Sequence, residues 1–449
     1  MRRALAHYVP RETAVLGLIE SALLFAAIHA VIQAPNASAL QLGVLDPAPY
    51  DGFALAAILT LLTGTIGLTI GLYRIDACLD RRRLFTTTAL AATVAFAVVL
   101  VISGALHTGL SAAHTLSIAE ILGAWLITMI LVRLAYTFAA DRVPLARRIL
   151  LLGDPMQIRA VNIRLRSRHG RTFDPVILPV PEISRAVLRQ HRIWGVVVAS
   201  DPEGPAIAPL LDCKLRGVKI LSGAAFHENY LGRIDLDTLT ASDLLMGHGF
   251  GASRLGAALK RISDIVLGLL LLALSLPLMA LTALAISIDS RGPVFYRQQR
   301  IGQFDKSFTL YKFRSMTVDA EAGGSPRWAQ KQDPRITRAG RFIRTTRIDE
   351  LPQLVNVVRG DMSLVGPRPE RPHFVEQLAC AIPFYRHRSY IKLGLTGWAQ
   401  VNYPYGASVE DAREKLAYDL YYLKNRSIML DAIILLSTVR VVLSREGAR

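Results

Sequence analysis

Acid and base crowd together in one stretch of an otherwise apolar chain, residues 341–369, RFIRTTRIDELPQLVNVVRGDMSLVGPRP. Two adjacent carboxylates, Asp349 and Glu350, stand among Arg341, Arg344, Arg347, Arg359 and Arg368. Arginine offers a planar fork of donors that matches phosphate oxygens. A carboxylate can attack phosphorus as a nucleophile, or hold Mg2+ against a diphosphate. These types at this spacing point to chemistry on a polyanion. They equally suit a surface helix laced with ion pairs. The flanking sequence has to separate the two readings.

The rest of the chain is too apolar for an ordinary soluble protein. It has 449 residues, 52% hydrophobic and 19% charged, with a mean hydropathy of +0.34. That length allows two or three domains. With 52 basic and 35 acidic residues the net charge is +17. Such a balance suits nucleic acid or anionic lipid headgroups. No zinc finger, helix-turn-helix or aromatic-rich RNA motif is present, so membrane lipid is the expected partner and nucleic acid is not. Cys78, Cys213 and Cys380 are too far apart for a metal or disulfide pattern. The histidines form no HExxH grouping, and His107 and His114 fall in a short loop.

Four apolar runs come first, at 13–33, 53–73, 86–106 and 116–138. Each approaches the ~20 residues that a helix needs to cross a bilayer. The first reads as an uncleaved anchor, since it is long for a signal core and three more runs follow. Arg2, Arg3 and Arg11 precede it. Arg74, Arg81, Arg82 and Arg83 follow the second run, and Arg142, Arg147 and Arg148 follow the fourth. The other two loops carry no lysine or arginine, so both ends of the bundle are expected in the cytoplasm. Glu20 and Glu120 are the acids inside these runs, and are read as structural.

From 147 to 222 the pattern turns to strands alternating with helices, which argues a parallel α/β sheet. Strands are expected at 148–152, 176–180, 195–199 and 218–221, and helices at 157–168, 182–191 and 206–216. The arrangement is Rossmann-like, but Gly153-Asp154-Pro155 stands where a dinucleotide fingerprint would be. Asp154 would repel a pyrophosphate there, so a structural or regulatory domain is expected.

A fifth run, 265–288, has Pro277 near its middle and basic residues on both sides: Arg254, Lys260 and Arg261 before, Arg291, Arg297 and Arg300 after. Both flanks ask for the cytoplasm, so the run is expected to enter, bend at Pro277 and return. Ser275 is the expected cap for a carbonyl freed at the bend.

Six further motifs follow in order: VFYRQQRIG, FTLYKFRSM, DPRITRAGRFIR, RIDELPQLVNVVRGDMSLVGPRPE, GLTGWAQVN and DLYYLKNRSIMLDAIILLSTVRVVL. On these, residues 260–443 resemble the bacterial sugar transferases, the monotopic phosphoglycosyl transferases. The whole chain resembles in outline their large subfamily, which starts exopolysaccharide, capsule or O-antigen synthesis. The resemblance implies transfer of a hexose 1-phosphate from a UDP-sugar to undecaprenyl phosphate, releasing UMP. Asp349 is then the nucleophile and forms a phosphosugar-aspartyl intermediate. Glu350, with Asp349, holds Mg2+. Arg344 and Arg368 match family arginines around the phosphates, and Lys312 and Arg314 are further phosphate contacts. Asp431 matches an acidic position of the last amphipathic helix, read as 418–443 and expected along the lipid interface with Tyr421 and Tyr422.

Two departures stand out. Leu276-Pro277 replaces the Ser-Pro of many relatives, and Pro404 stands where many carry arginine. The expected architecture is a four-helix transmembrane bundle (1–145), a Rossmann-like cytoplasmic domain (146–250) and a mainly α catalytic domain (251–449). The last carries a re-entrant membrane helix at 262–288. A multi-pass protein of the bacterial inner membrane, acting as a homodimer on glucose or galactose, is the implied setting. A catalytically dead scaffold, and a glycosyltransferase releasing UDP, are the rival readings.

Overall fold

The computed structural model describes residues 11–33, 52–70, 72–73, parts of 85–98 and 123–138, 146–168, 172–177, 184–199, 207–246, 249, 251, 254–321, 333–403, 406 and 408–443. Glu120 and Pro404 lie outside them. The chain divides into two compact units, 2–229 and 230–449.

In the first unit, α1 (Arg11–Gln33) and α2 (Gly52–Ile70) are long apolar helices. The third and fourth runs are helical over most of their described residues. One buried cluster draws on all four runs, including Leu24, Ile28, Ala56, Ile66, Ala91, Ala95, Trp125 and Met129. Glu20 has a partner that the charge reading above does not single out, Arg133 of the fourth run. Its Nε lies 2.9 Å from Glu20 Oε1, with side-chain exposures of 0% and 1%. Nη1 donates to Leu72 O at 3.0 Å. Arg133→Leu strands a buried carboxylate, and a stability loss of about 3–5 kcal/mol is expected. Thermal unfolding of purified protein reads it, and Glu20→Leu/Arg133→Leu is expected to recover most of the loss.

The α/β part is a four-stranded parallel sheet in the order β2-β1-β3-β4. It comprises β1 (Arg147–Leu152), α3 (Pro155–Arg168), β2 (Phe173–Val176), α4 (Arg185–Gln190), β3 (Gly195–Val198), α5 (Ile207–Leu215) and β4 (Ile220–Ser222). The central strands are continuous apolar runs because helices cover both faces of such a sheet. The second strand is described over Phe173–Val176, three residues ahead of the expected start, and residues 178–180 of the expected strand lie outside the described residues. Buried Phe173 decides its place, and Pro175 is tolerated because β2 is an edge strand. Gly153 supplies a left-handed turn (φ 134) after β1. Asp154 Oδ2 then accepts from the N–H groups of Met156 (3.1 Å) and Gln157 (3.3 Å). The carboxylate itself caps the helix where a pyrophosphate would dock.

The second unit is built on α6 (Arg254–Asp289), a 36-residue helix with Pro277 inside it. Among the described residues it is the one helix long and apolar enough to cross a membrane. Its middle is exposed, at Leu274, Leu276, Leu281 and Leu284. Ser275 Oγ donates to Leu272 O at 3.1 Å. The carbonyl that Pro277 leaves without its helical donor is that of Ala273, so the serine caps one residue earlier than expected. Both ends of α6 pack on the same unit. Near the start, Arg261 donates to Val357 O and Val358 O, each at 2.8 Å, and Asp264 accepts from Ser363 Oγ and Leu364 N, each at 3.0 Å. Near the end, Ile286 packs on Phe313 and Ile343.

Around α6 lie the hairpin β5 (Phe295–Ile301) and β6 (Ser307–Phe313), α7 (Arg338–Thr345), α8 (Gln353–Arg359), and the parallel pair β7 (Ser363–Val365) and β8 (Gly394–Thr396). The final stretch is two helices, α9 (Val409–Asn425) and α10 (Ile428–Leu443), not one. The backbone turns extended at Arg426 (ψ 132). This corrects the interface reading: Tyr418, Tyr421 and Tyr422 are 3%, 2% and 1% exposed and belong to the core.

Candidate active site

Asp349 and Glu350 sit in a single tight turn, Ile348–Glu350, between α7 and α8. Arg347 enters it left-handed, at φ 61 and ψ 12. A non-glycine residue there costs of order 1–3 kcal/mol and needs surrounding packing to hold it. Its effect is to reverse the chain, so that both carboxylates turn inward, 7% and 8% exposed.

The two acids meet different surroundings. Glu350 is gripped by bases from three elements. Lys312 of β6 donates to Oε1 at 2.9 Å. Arg368 of the Pro-Arg-Pro turn forks onto both oxygens, with Nη1 to Oε2 at 3.4 Å and Nη2 on Oε1. Arg347 Nη1 stands 3.9 Å from Oε1. Burial pushes this carboxyl up, but the charges of Arg368 and Lys312 outweigh it and hold Glu350 well below the usual range. Asp349 accepts no hydrogen bond among the described residues, and Lys312 Nζ is 3.9 Å from its Oδ2. Burial raises its carboxyl, Lys312 opposes, the Glu350 charge raises it again, and the net direction is up. Burial in turn pushes the Lys312 ammonium down, against the pull of both acids. One carboxylate is thus firmly ionised, with most of its acceptor capacity taken up by ion pairs. Its neighbour is basic, poorly solvated and open. Such splitting separates the roles of paired carboxyls.

The supporting residues come from several elements. Asn356 of α8, fully buried, donates to Thr309 O (2.8 Å) and Asp361 Oδ2 (3.2 Å) and accepts from Tyr311 N at 3.2 Å. It fixes the strand that carries Lys312. The Arg368 turn needs bare backbone: a Cβ on Gly366 would stand 2.4 Å from Lys392 O. Sequence reasoning did not single out Asn356; the polar side chain in the apolar LVNVV run was its signal.

Arg344 ends α7, and its charge acts to lower Asp349. Arg314 does not join the cluster. Its guanidinium donates to Ser290 O (2.6 Å), Ser290 Oγ (3.0 Å) and Arg291 O (3.1 Å) and so closes the end of α6. The sequence reading groups it with the phosphate contacts, whereas the structure places its Nη1 and Nη2 on Ser290 and Arg291 and not beside the two acids. Asp431 also stands apart. It accepts from Lys260 Nζ and Tyr422 OH, each at 2.7 Å, and ties the start of α6 to α9 and α10.

The donor set fits a divalent cation. Asp349 is open, and Glu350 Oε2 takes one long bond out of the roughly two that a carboxylate oxygen can accept. Among the described residues no three His, Cys, Asp or Glu side chains gather into a cage. A cation here would be shared with substrate phosphates, the usual habit of Mg2+.

The sequence pattern of the bacterial sugar transferases matches residues 255–445. The chain is 42% identical over 240 residues to the UDP-N-acetylgalactosamine-undecaprenyl-phosphate N-acetylgalactosaminephosphotransferase of Aeromonas hydrophila, covering 54% of this chain and 56% of that one. It is 44% identical over 191 residues to the UDP-glucose:undecaprenyl-phosphate glucose-1-phosphate transferase of Caulobacter vibrioides, covering 42% of this chain and 71% of that one. The enzyme of that same name from Escherichia coli is 42% identical over 191 residues, 42% of this chain and 40% of the relative. The chain thus spans little more than half the length of the Aeromonas relative.

Proposed function

The chain belongs to the bacterial sugar transferase family, and from that premise we propose that it transfers a hexose 1-phosphate from a UDP-sugar to undecaprenyl phosphate and releases UMP. The observation that carries the reading is the asymmetry of the acids: Asp349 basic and open, Glu350 ionised and held by Lys312 and Arg368. An Asp349 oxygen attacks the sugar-linked phosphorus. The bond from that phosphorus to the bridging oxygen breaks, and UMP leaves with the electron pair. The phosphosugar stays on Asp349 as a mixed anhydride. An oxygen of undecaprenyl phosphate then attacks the same phosphorus, and the aspartate carboxylate departs. Arg368 and Arg344 hold phosphate oxygens, and Lys312 keeps both acids charged. Asp349 and Glu350 would hold Mg2+, which would supply neutralisation of the diphosphate charge.

The setting follows the same reading. We take 1–145 as a four-helix transmembrane bundle, supported by the shared cluster. The parallel sheet supports a Rossmann-like domain over 146–250. Re-entry of 262–288 is supported by the exposed apolar middle of α6 and by ends that both pack on the catalytic unit. Cysteines placed at Arg254 and Arg291, with the native cysteines replaced, are expected to label with an impermeant reagent from the cytoplasmic face only. Labelling from opposite faces rejects the hairpin.

The deciding assay incubates purified protein with Mg2+, undecaprenyl phosphate and a panel of UDP-sugars. The relatives' names divide between N-acetylgalactosamine and glucose, so both donors enter the panel beside UDP-galactose. UMP supports the reading, UDP supports a glycosyltransferase, and no nucleotide product supports a dead scaffold.

A further inference from the structure

We propose that Arg300 and Arg388 are positioning residues for Arg368, acting through the backbone of the turn that carries it; this rests on the transferase reading above. Residues 368–371 have no regular secondary structure. Pro367 and Pro369 have no N–H to give, so the turn cannot brace itself. Yet four successive carbonyls each meet a donor. Gly394 N donates to Pro367 O at 2.8 Å. Arg388 Nη2 donates to Arg368 O at 2.9 Å. Arg300 Nη1 donates to Pro369 O at 3.0 Å. Ile301 N donates to Glu370 O at 3.0 Å. Two of the four are side chains from distant segments.

Both guanidiniums are held in turn. Arg388 is 7% exposed. It spends Nε and Nη2 on Asp419 Oδ2, at 3.0 and 2.8 Å, and Nη1 on Tyr385 OH at 3.1 Å. Arg300 places Nη2 on Gln298 Oε1 at 2.6 Å and faces Glu370 at 3.5 Å. Burying a charge is expensive, and apolar residues often fill core volume as well or better. Here each fork reaches a carbonyl of the residue pair that aims the grip on Glu350. A shift of about 1 Å at such a residue can cost on the order of 100-fold in rate.

The test uses the full-length protein with Arg300→Gln, Arg368→Lys and the pair. UMP release and thermal unfolding are read together with hydrogen exchange of a peptide covering 363–371. Arg300→Gln is expected to lower the rate about 10-fold or more, by the same geometric argument. In the Arg368→Lys background the same change is expected to cost less than twofold, since residues acting as one unit are not additive. The turn peptide should exchange faster. Arg388→Lys, which keeps a charge for Asp419 without the fork, is expected to follow the same pattern. Multiplying losses, or unchanged turn exchange in folded Arg300→Gln, each overturn the proposal. Absence of UMP from wild-type protein with every donor overturns the transferase reading instead, and the exchange result then still decides the positioning.

Discussion

Asp349→Asn is expected to abolish UMP release, with a loss of about 10,000-fold or more, as when the nucleophile of a covalent mechanism is removed. Asparagine keeps the shape and removes the attacking oxygen's charge. The protein should nonetheless remain folded. Burial and the neighbouring Glu350 charge raise the Asp349 carboxyl in the folded state. A raised carboxyl favours folding below its unfolded value, and that contribution is lost as pH rises through the folded one. A neutral side chain removes this cost near pH 7, so thermal unfolding of Asp349→Asn should occur at or slightly above the wild-type temperature. A folded variant that still released UMP at the wild-type rate would remove the aspartyl intermediate from consideration.

Lys312→Met comes next in size. The ammonium donates to Glu350 at 2.9 Å and stands 3.9 Å from Asp349. It is the leading charge that opposes burial at Asp349. Without it both acids rise. The ionised nucleophile then forms only at higher pH, so the acid limb of the rate profile moves in the alkaline direction. The loss is expected to be about 100- to 1,000-fold near neutrality, comparable with removal of one preorganised donor, and smaller at high pH. Lys312→Arg restores charge but not the compact point contact, and should recover the limb better than the rate. An unshifted limb in Lys312→Met would mean that Lys312 only contacts substrate phosphate.

Asp349, Glu350 and Arg368 were legible as a group because acid and base types cluster within a single short stretch. The α/β rhythm of 147–222 was legible for a similar reason, since alternating apolar strands and helices carry their period locally. Edges were less so: the described second strand starts at Phe173, ahead of the expected Val176, because Phe173 is buried where the strand pairs with β1. Arg314 and Lys312 lie two residues apart in one motif and looked equivalent. A strand points alternate residues to opposite faces only within its length, and β6 ends at Phe313. Beyond it Arg314 turns to the carbonyls of Ser290 and Arg291, while Lys312 enters the site.

From the chain alone came the pair of clustered acids, the bases near them in sequence and the apolar runs, for these are properties of residue type and short-range spacing. The tertiary structure alone decided which base each acid meets, that Arg133 answers Glu20, and that Arg300 and Arg388 brace the turn of Arg368. Partners separated by 18 to 113 residues leave no local pattern, because Coulomb attraction and hydrogen bonding act over a few ångströms of space and take no account of distance along the chain.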